Sequence, residues 1–259
     1  MKLFISCLVW LLLVSCHNKE ANPTDAIING ETGRHVDSIL TPYVQELRNI
    51  TDNSAGLAIG ITKGEEIIYA RTFGFADIDK GQNVTFNTRF HLASVSKPFS
   101  AIAVAKLVQE NKLNLDDLLI DHIPEFEMTG KGYASITIRH ILTHTSGIPR
   151  NIKTDDWIDP SYGIHALDEN IEIVKKLRLD FEPGTKFNYS NSAFDILGIV
   201  ISRASGMPFH TYLEEAIFKP AGMLHTSMKK PIDSLPLDWA NAHSYGLETQ
   251  TLSPYPYNE

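Results

Sequence analysis

The chain has almost no cysteine: Cys7 and Cys16 are the only two in 259 residues, both near the start. The body therefore cannot form an internal disulfide, whatever compartment it occupies. Basic charge is also scarce, with 23 Lys+Arg against 31 Asp+Glu and a formal net charge of −8. Without a basic cluster there is no electrostatic footprint for a phosphate backbone, and no nucleic-acid partner is expected. A G-x-S-x-G elbow, a phosphate-binding loop and a dinucleotide fingerprint are all missing. So are internal repeats, low-complexity tracts and long linkers within the body. What remains is 43% hydrophobic and 21% charged, the composition of an ordinary folded protein of one large domain or two modest ones.

The first residues belong to targeting. Lys2 precedes an apolar run, Leu3 to Val14, that is too short to span a bilayer and reads as a signal peptide over residues 1–15. Its end, Leu13-Val14-Ser15-Cys16, resembles the bacterial lipobox, which implies cleavage before Cys16 and lipidation of that thiol. The alternative is an ordinary secretory signal with Cys16 incidental. Several acyl chains on Cys16 would hold the protein stably at a membrane, since each buried CH₂ contributes about 0.8 kcal/mol. Residues 16–33, polar with Pro23, Gly30 and Gly33, suit a tether. The expected location is the bacterial cell envelope, facing the periplasm or the exterior.

Beyond the tether, Val36, Ile39, Leu40, Val44, Leu47 and Ile50 recur at helical spacing, predicting an amphipathic helix over 35–51 with Pro42 as a flaw. Leu57, Ile59 and Ile61 alternate, Lys63-Gly64 turns, and residues 67–75 are rich in β-branched and aromatic side chains, which predicts a hairpin. Helical patterns then dominate roughly 100–230, with candidates at 97–110, 137–143, 168–179, 192–205 and 209–218.

The chemistry starts at Ser94-Val95-Ser96-Lys97. Three residues apart on a helix, Ser94 and Lys97 share a face. S-x-x-K arises about once by chance in a chain of this length, and Ser227 to Lys230 also fits, in a polar stretch before Pro231 that reads as surface loop. The helix downstream of Ser94 separates the two. Phe99, Ala101, Ile102, Ala103, Val104, Ala105, Leu107 and Val108 make it apolar nearly all round, predicting burial, with Ser94 at its N-terminus. There, backbone N–H groups can stabilise an oxyanion, and burial would favour a neutral Lys97 amine able to take the Ser94 proton. On this segment alone, a capping Ser94 with a snorkelling Lys97 stands level with that reading.

A second segment, Phe187-Asn188-Tyr189-Ser190-Asn191-Ser192, precedes another nearly all-apolar helix. A tyrosine hydroxyl can relay a proton and an Asn amide can both donate and accept, while Pro183-Gly184 upstream also fits a plain turn with an N-cap. Taken in order, Ser94 to Lys97, Ile138-Arg139-His140-Ile141-Leu142-Thr143-His144-Thr145-Ser146-Gly147-Ile148, and Tyr189 to Ser192 resemble the serine β-lactamase-related family. The nearest resemblance is to its class C β-lactamase branch, which also holds D-Ala-D-Ala carboxypeptidases, D-amino-acid peptidases and esterases, and it runs from about Ile39 to Met223. It implies Ser94 as acylated nucleophile, Lys97 as proton acceptor, Tyr189 as proton relay, Asn191 as a substrate and Lys97 ligand, and the Ser94 N–H as half of an oxyanion hole. The implied fold is α+β: a mixed antiparallel sheet flanked by helices, with an all-helical region inserted.

A third family motif, Lys-Thr-Gly or His-x-Gly on a late strand, has no match. His243-Ser244-Tyr245-Gly246 carries its glycine one place too late and shows no alternating strand pattern. The late sheet strands are therefore expected to be missing, which makes residues 34–259 an incomplete domain with open strand edges and apolar faces, prone to associate. Among other candidates, His140 and His144 sit four apart without a Glu between them or a third ligand, so packing is preferred over zinc. Asp116-Asp117 and Asp155-Asp156 read as cap or loop charges, and residues 150–165 as a long loop bordering the site. The expectation is a membrane-anchored envelope serine hydrolase, acting on a small-molecule or peptide amide or ester without metal or organic cofactor. The alternative is an inactive lipoprotein that keeps the pocket to bind peptide or cell-wall ligands.

Overall fold

Strand alternation and helix caps account for most of the elements seen in a computed structural model, which describes residues 25–49, 56–151, 171, 173–228 and 239–240, and the backbone of 243–246 and 251–254. The chain divides into two compact units, one formed by the residues up to Thr88 together with the segment 243–254, the other by residues 89–242 with the last five.

In the first unit the predicted hairpin forms as β2 (Leu57–Lys63) and β3 (Glu66–Phe73), turning at Gly64, whose φ of 62° favours glycine. β3 is the centre of an antiparallel sheet of order β1-β3-β2. β1 (Ala26–Ile28) lies inside the span expected to be tether, pairing Ala26 with Arg71 and Ile28 with Tyr69. Three residues are too few to show a strand period, and the partner is some forty positions away. α1 (Gly30–Asn49) likewise starts before the predicted 35 and runs through Pro42, which faces solvent, where the carbonyl left without its N–H partner can be hydrated. A Cβ on Gly33 would stand 2.4 Å from the Ile68 carbonyl oxygen, so only glycine lets this helix lie so close to β3. β4 (Phe75–Asp77) and β5 (Gln82–Asn83) form a short ribbon.

β6 (His243–Gly246) and β7 (Thr251–Pro254) pair antiparallel as a separate two-stranded sheet. This corrects the expectation of no strand around His243-Ser244-Tyr245-Gly246: four residues joined to their partner by a short connection form a ladder that hydrophobic alternation does not announce.

The second unit is helical. α2 (Lys97–Gln109) packs against α5 (Asn191–Ser205) and α6 (Phe209–Leu213), with α3 (Leu119–His122) and α4 (Ile138–Leu142) completing the core. Ala103, Val104 and Leu107 of α2 meet Ala193, Ile196, Leu197, Val200 and Ile201 of α5 in one buried cluster. Phe99 sets its ring edge-on to Phe218 at 5.2 Å. α2 is not buried all round, as its apolar sequence suggested; Ile102 is 50% exposed. A helix without a polar face does not say which of its sides is covered. α5 is delimited by its ends: Ser190 Oγ accepts from Ala193 N at 3.0 Å, and Gly206 closes the C-terminus in the left-handed region.

Candidate active site

Ser94 lies on a 3₁₀ turn, Ala93–Ser96, that runs directly into α2 at Lys97. In a 3₁₀ turn side chains at i and i+3 eclipse, so the S-x-x-K spacing stacks the two groups. Ala93, just before the serine, holds φ 46°, a left-handed conformation costing a non-glycine residue about 1–3 kcal/mol. Ser94 is exposed and Lys97 half-buried, less than the sequence led us to expect.

The second segment reaches this turn because the Ser190 cap starts α5 directly beneath it. Tyr189 OH donates to Ser94 Oγ at 2.9 Å. Lys97 Nζ donates to Asn191 Oδ1 at 2.8 Å and, at the long limit of a hydrogen bond, to Ser94 Oγ at 3.4 Å. Ser94, Lys97, Tyr189 and Asn191, singled out in the sequence, thus form one continuous network. Two cations bear on the Tyr189 ring: Lys97 Nζ at 4.9 Å and Arg150 Cζ at 5.1 Å from its centroid. Burial alone would push the Tyr189 phenol up, but hydrogen bonds with Lys97 and Ser94 and the charges of Lys97 and Arg150 outweigh it, leaving the phenol below its ordinary value. A lowered phenol ionises more readily, and the phenolate beside a serine hydroxyl can accept the proton that a nucleophilic attack releases.

Several neighbours escaped sequence reasoning. Asn151 Oδ1 accepts from Asn191 Nδ2 at 3.0 Å, orienting the amide so that its oxygen faces Lys97. The Arg150 carbonyl accepts from Asn191 N at 2.9 Å. Phe194 places its ring 5.6 Å from Lys97 Nζ. Only the general reading of 150–165 as a bordering loop pointed here; positions 152–165 of that loop, like Cys16, Asp155, Asp156 and Lys230, lie outside the described residues. Of the histidine pair, His140 Nδ1 accepts from Thr137 N within α4's capping turn, while His144 Nδ1 accepts from Ser190 N, so the two rings are engaged separately. Asp116 takes a two-pronged hydrogen bond from Arg139, and Asp117 accepts from Asn114 N, both structural roles.

Residues 36–256 match the family model described as Beta-lactamase. The chain belongs to the beta-lactamase family. Membership groups it with serine hydrolases, and its mixture of helices and antiparallel sheets is that family's fold. "Protein flp" of Staphylococcus aureus is 30% identical over 204 residues, which is 78% of this chain and 40% of that protein. Penicillin-binding protein 4* of Bacillus subtilis is 34% identical over 169 residues, 63% of this chain and 36% of that protein. The chain therefore spans about 40% of the length of the curated relatives it matches. Among solved structures, a penicillin-binding protein from Bacillus halodurans aligns with TM-score 0.68 at 30% identity, covering 83% of this chain and 64% of that one. EstCE1, a hydrolase with promiscuous acyltransferase activity, aligns with TM-score 0.70 at 25% identity, covering 86% and 60%.

Proposed function

We propose that the protein is a serine hydrolase that cleaves an amide or ester through an acyl-enzyme on Ser94. The observation that carries this reading is the pair of hydrogen bonds converging on one hydroxyl, from Tyr189 at 2.9 Å and Lys97 at 3.4 Å. With Tyr189 ionised and the Lys97 ammonium balancing its charge, Ser94 Oγ attacks the substrate carbonyl carbon as its proton passes to the phenolate oxygen, the nearer acceptor, and the negative charge moves to the carbonyl oxygen; Lys97 also holds Asn191 in place. Collapse of the tetrahedral intermediate breaks the bond to the leaving group, which takes the proton from Tyr189. A water molecule then adds to the acyl carbon by the same relay in reverse and frees Ser94. The Ser94 backbone N–H, in the 3₁₀ turn that leads into α2, supplies one donor to the oxyanion.

Relatives named as penicillin-binding proteins support β-lactams as a substrate class, and one named as a hydrolase with acyltransferase activity supports the acyl-transfer step; D-amino-acid peptides and simple esters are the further classes that the resemblance of Ser94 to Lys97 and Tyr189 to Ser192 implies. The Leu13-Val14-Ser15-Cys16 pattern supports attachment to the bacterial envelope through lipid on Cys16.

Incubating the purified chain with a fluorescent penicillin or a fluorophosphonate is expected to give a covalent mass shift on Ser94 that Ser94→Ala abolishes while the circular-dichroism spectrum is unchanged. A folded chain that neither probe labels would make the protein a binding module. For the anchor, an N-terminal peptide carrying acyl mass on Cys16 is expected from the envelope fraction, and an unmodified Cys16 there would refute it.

A further inference from the structure

His144 follows α4 at φ 57°, a left-handed conformation uncommon outside glycine but one in which Asn, Asp and His are the enriched exceptions. The consequence is that both its backbone and its ring turn toward the segment carrying Tyr189. The His144 carbonyl oxygen accepts from Asn188 N at 2.9 Å, and its Nδ1 accepts from Ser190 N at 3.2 Å. The two N–H groups held in this way belong to the residues immediately before and after Tyr189. Between them, the imidazole lies against the Tyr189 ring with centroids 4.4 Å apart, against Phe194 at 5.1 Å, and edge-on to Phe187 at 5.9 Å.

We propose that His144 is the positioning residue of this site: its carbonyl and its imidazole Nδ1 clasp the backbone on both sides of Tyr189, and the neutral ring seats the phenol against Ser94. The clasp works only while Nδ1 keeps its lone pair. Protonation there would set N–H against the Ser190 N–H, two donors facing each other, and would add a second cation beside Lys97. Among the described residues, the charged group acting on the imidazole is Lys97 of α2, and the titratable group against it is Tyr189, which Arg150 also faces; Phe187 and Phe194 carry no charge. Burial first, and then Lys97, hold the imidazole below its ordinary 6.5. The neutral form therefore prevails at and above that pH, and the clasp fails only as pH falls further.

The inference rests on the acyl-enzyme reading, and its test separates the two. His144→Asn keeps a side-chain acceptor and tolerates positive φ but does not titrate in this range; His144→Phe keeps the ring and loses the acceptor. Rates of fluorophosphonate labelling at Ser94 are measured for the full chain and both variants from about pH 4.5 to about pH 8, a range that brackets the ordinary histidine value. His144→Asn is expected to label within about threefold of the unmodified chain above about pH 7, and the ratio of unmodified to variant rate is expected to fall about tenfold per pH unit once His144 protonates. His144→Phe is expected to lose about tenfold or more at all pH values. A flat ratio across pH, or a folded His144→Phe that labels normally, overturns the proposal. If no form labels, the acyl-enzyme reading fails while the clasp is still decided by the Tyr189 Cζ resonance in isotope-labelled chain. That resonance is expected to shift in the unmodified chain on acidification below pH 6.5 and to stay fixed in His144→Asn; the same shift in both refutes the clasp, also where His144→Phe does not fold.

Discussion

Lys97 Nζ lies closer to Asn191 Oδ1, at 2.8 Å, than to Ser94 Oγ, at 3.4 Å. The amine is thus held chiefly by the amide from α5, and its reach toward the serine depends on where that amide sits. Asn191 is itself fixed through Asn151 Oδ1 and the Arg150 carbonyl. A residue ninety-four positions from Lys97 along the chain therefore sets the geometry of a pair only three positions apart in sequence.

Asn191→Ala is expected to slow Ser94 labelling about ten- to a hundredfold, because a hydrogen bond to a charged group contributes roughly 1.5–3 kcal/mol. The labelling time course checks this, and a melting temperature close to that of the unmodified chain separates loss of chemistry from loss of fold. An unchanged labelling rate would show that Lys97 does not need the amide.

Ser190 is fully buried, donates to the Pro149 carbonyl at 2.9 Å and accepts from Ala193 N at 3.0 Å. Ser190→Ala removes the α5 cap and leaves the buried Ala193 N–H and the partly buried Pro149 carbonyl without this partner, so it is expected to cost about 0.5–2 kcal/mol for the cap and more for the unpaired carbonyl. Urea melts followed by circular dichroism measure the loss, and a midpoint unchanged from the parent chain would contradict the cap's role.

Gly147 holds φ 78°, and a Cβ there would stand 2.2 Å from the Phe181 carbonyl oxygen. Gly147→Ala is expected to destabilise the second unit by more than the roughly 1–3 kcal/mol of backbone strain alone, since backbone must also move. The thermal midpoint of the variant tests this; a midpoint equal to that of the parent would show that the turn is not so constrained.

Arg203 holds the Glu125 carboxyl down to about 2 from its ordinary 4.5, mainly through their hydrogen bonds, one of them 3.0 Å long. A carboxyl lowered on folding stabilises the native state fully above its unfolded value, and that contribution is lost as pH falls from 4.5 through about 2. Arg203→Leu is expected to flatten the fall in melting temperature across that window. Because both side chains are more than a third exposed, the effect is modest and screened by salt. Equal acid sensitivity in the two proteins would assign the window to other carboxyls.

Local periodicity made much of the fold legible. The alternation at Leu57, Ile59 and Ile61 and the glycine at 64 specify the β2–β3 hairpin, and the apolar runs after Lys97 and Ser192 specify α2 and α5. Each signal lies within one element, where the repeat of side-chain direction is set by the backbone itself. β1 and the β6–β7 ribbon leave no such signal, because strands of three or four residues take their form from their partners.

The sequence by itself determined the chemical inventory of this protein: a serine and a lysine at i and i+3, a tyrosine and an asparagine ahead of an apolar helix, and the family these segments resemble. Tertiary structure alone decided how they meet. The phenol reaches Ser94 across ninety-five positions, Asn191 reaches Lys97 across ninety-four, and His144 and Asn151 fasten the tyrosine segment across forty-six and forty. Such contacts leave no period in the chain, because a hydrogen bond between distant residues depends on how α2, α4 and α5 pack and not on the spacing of any one of them.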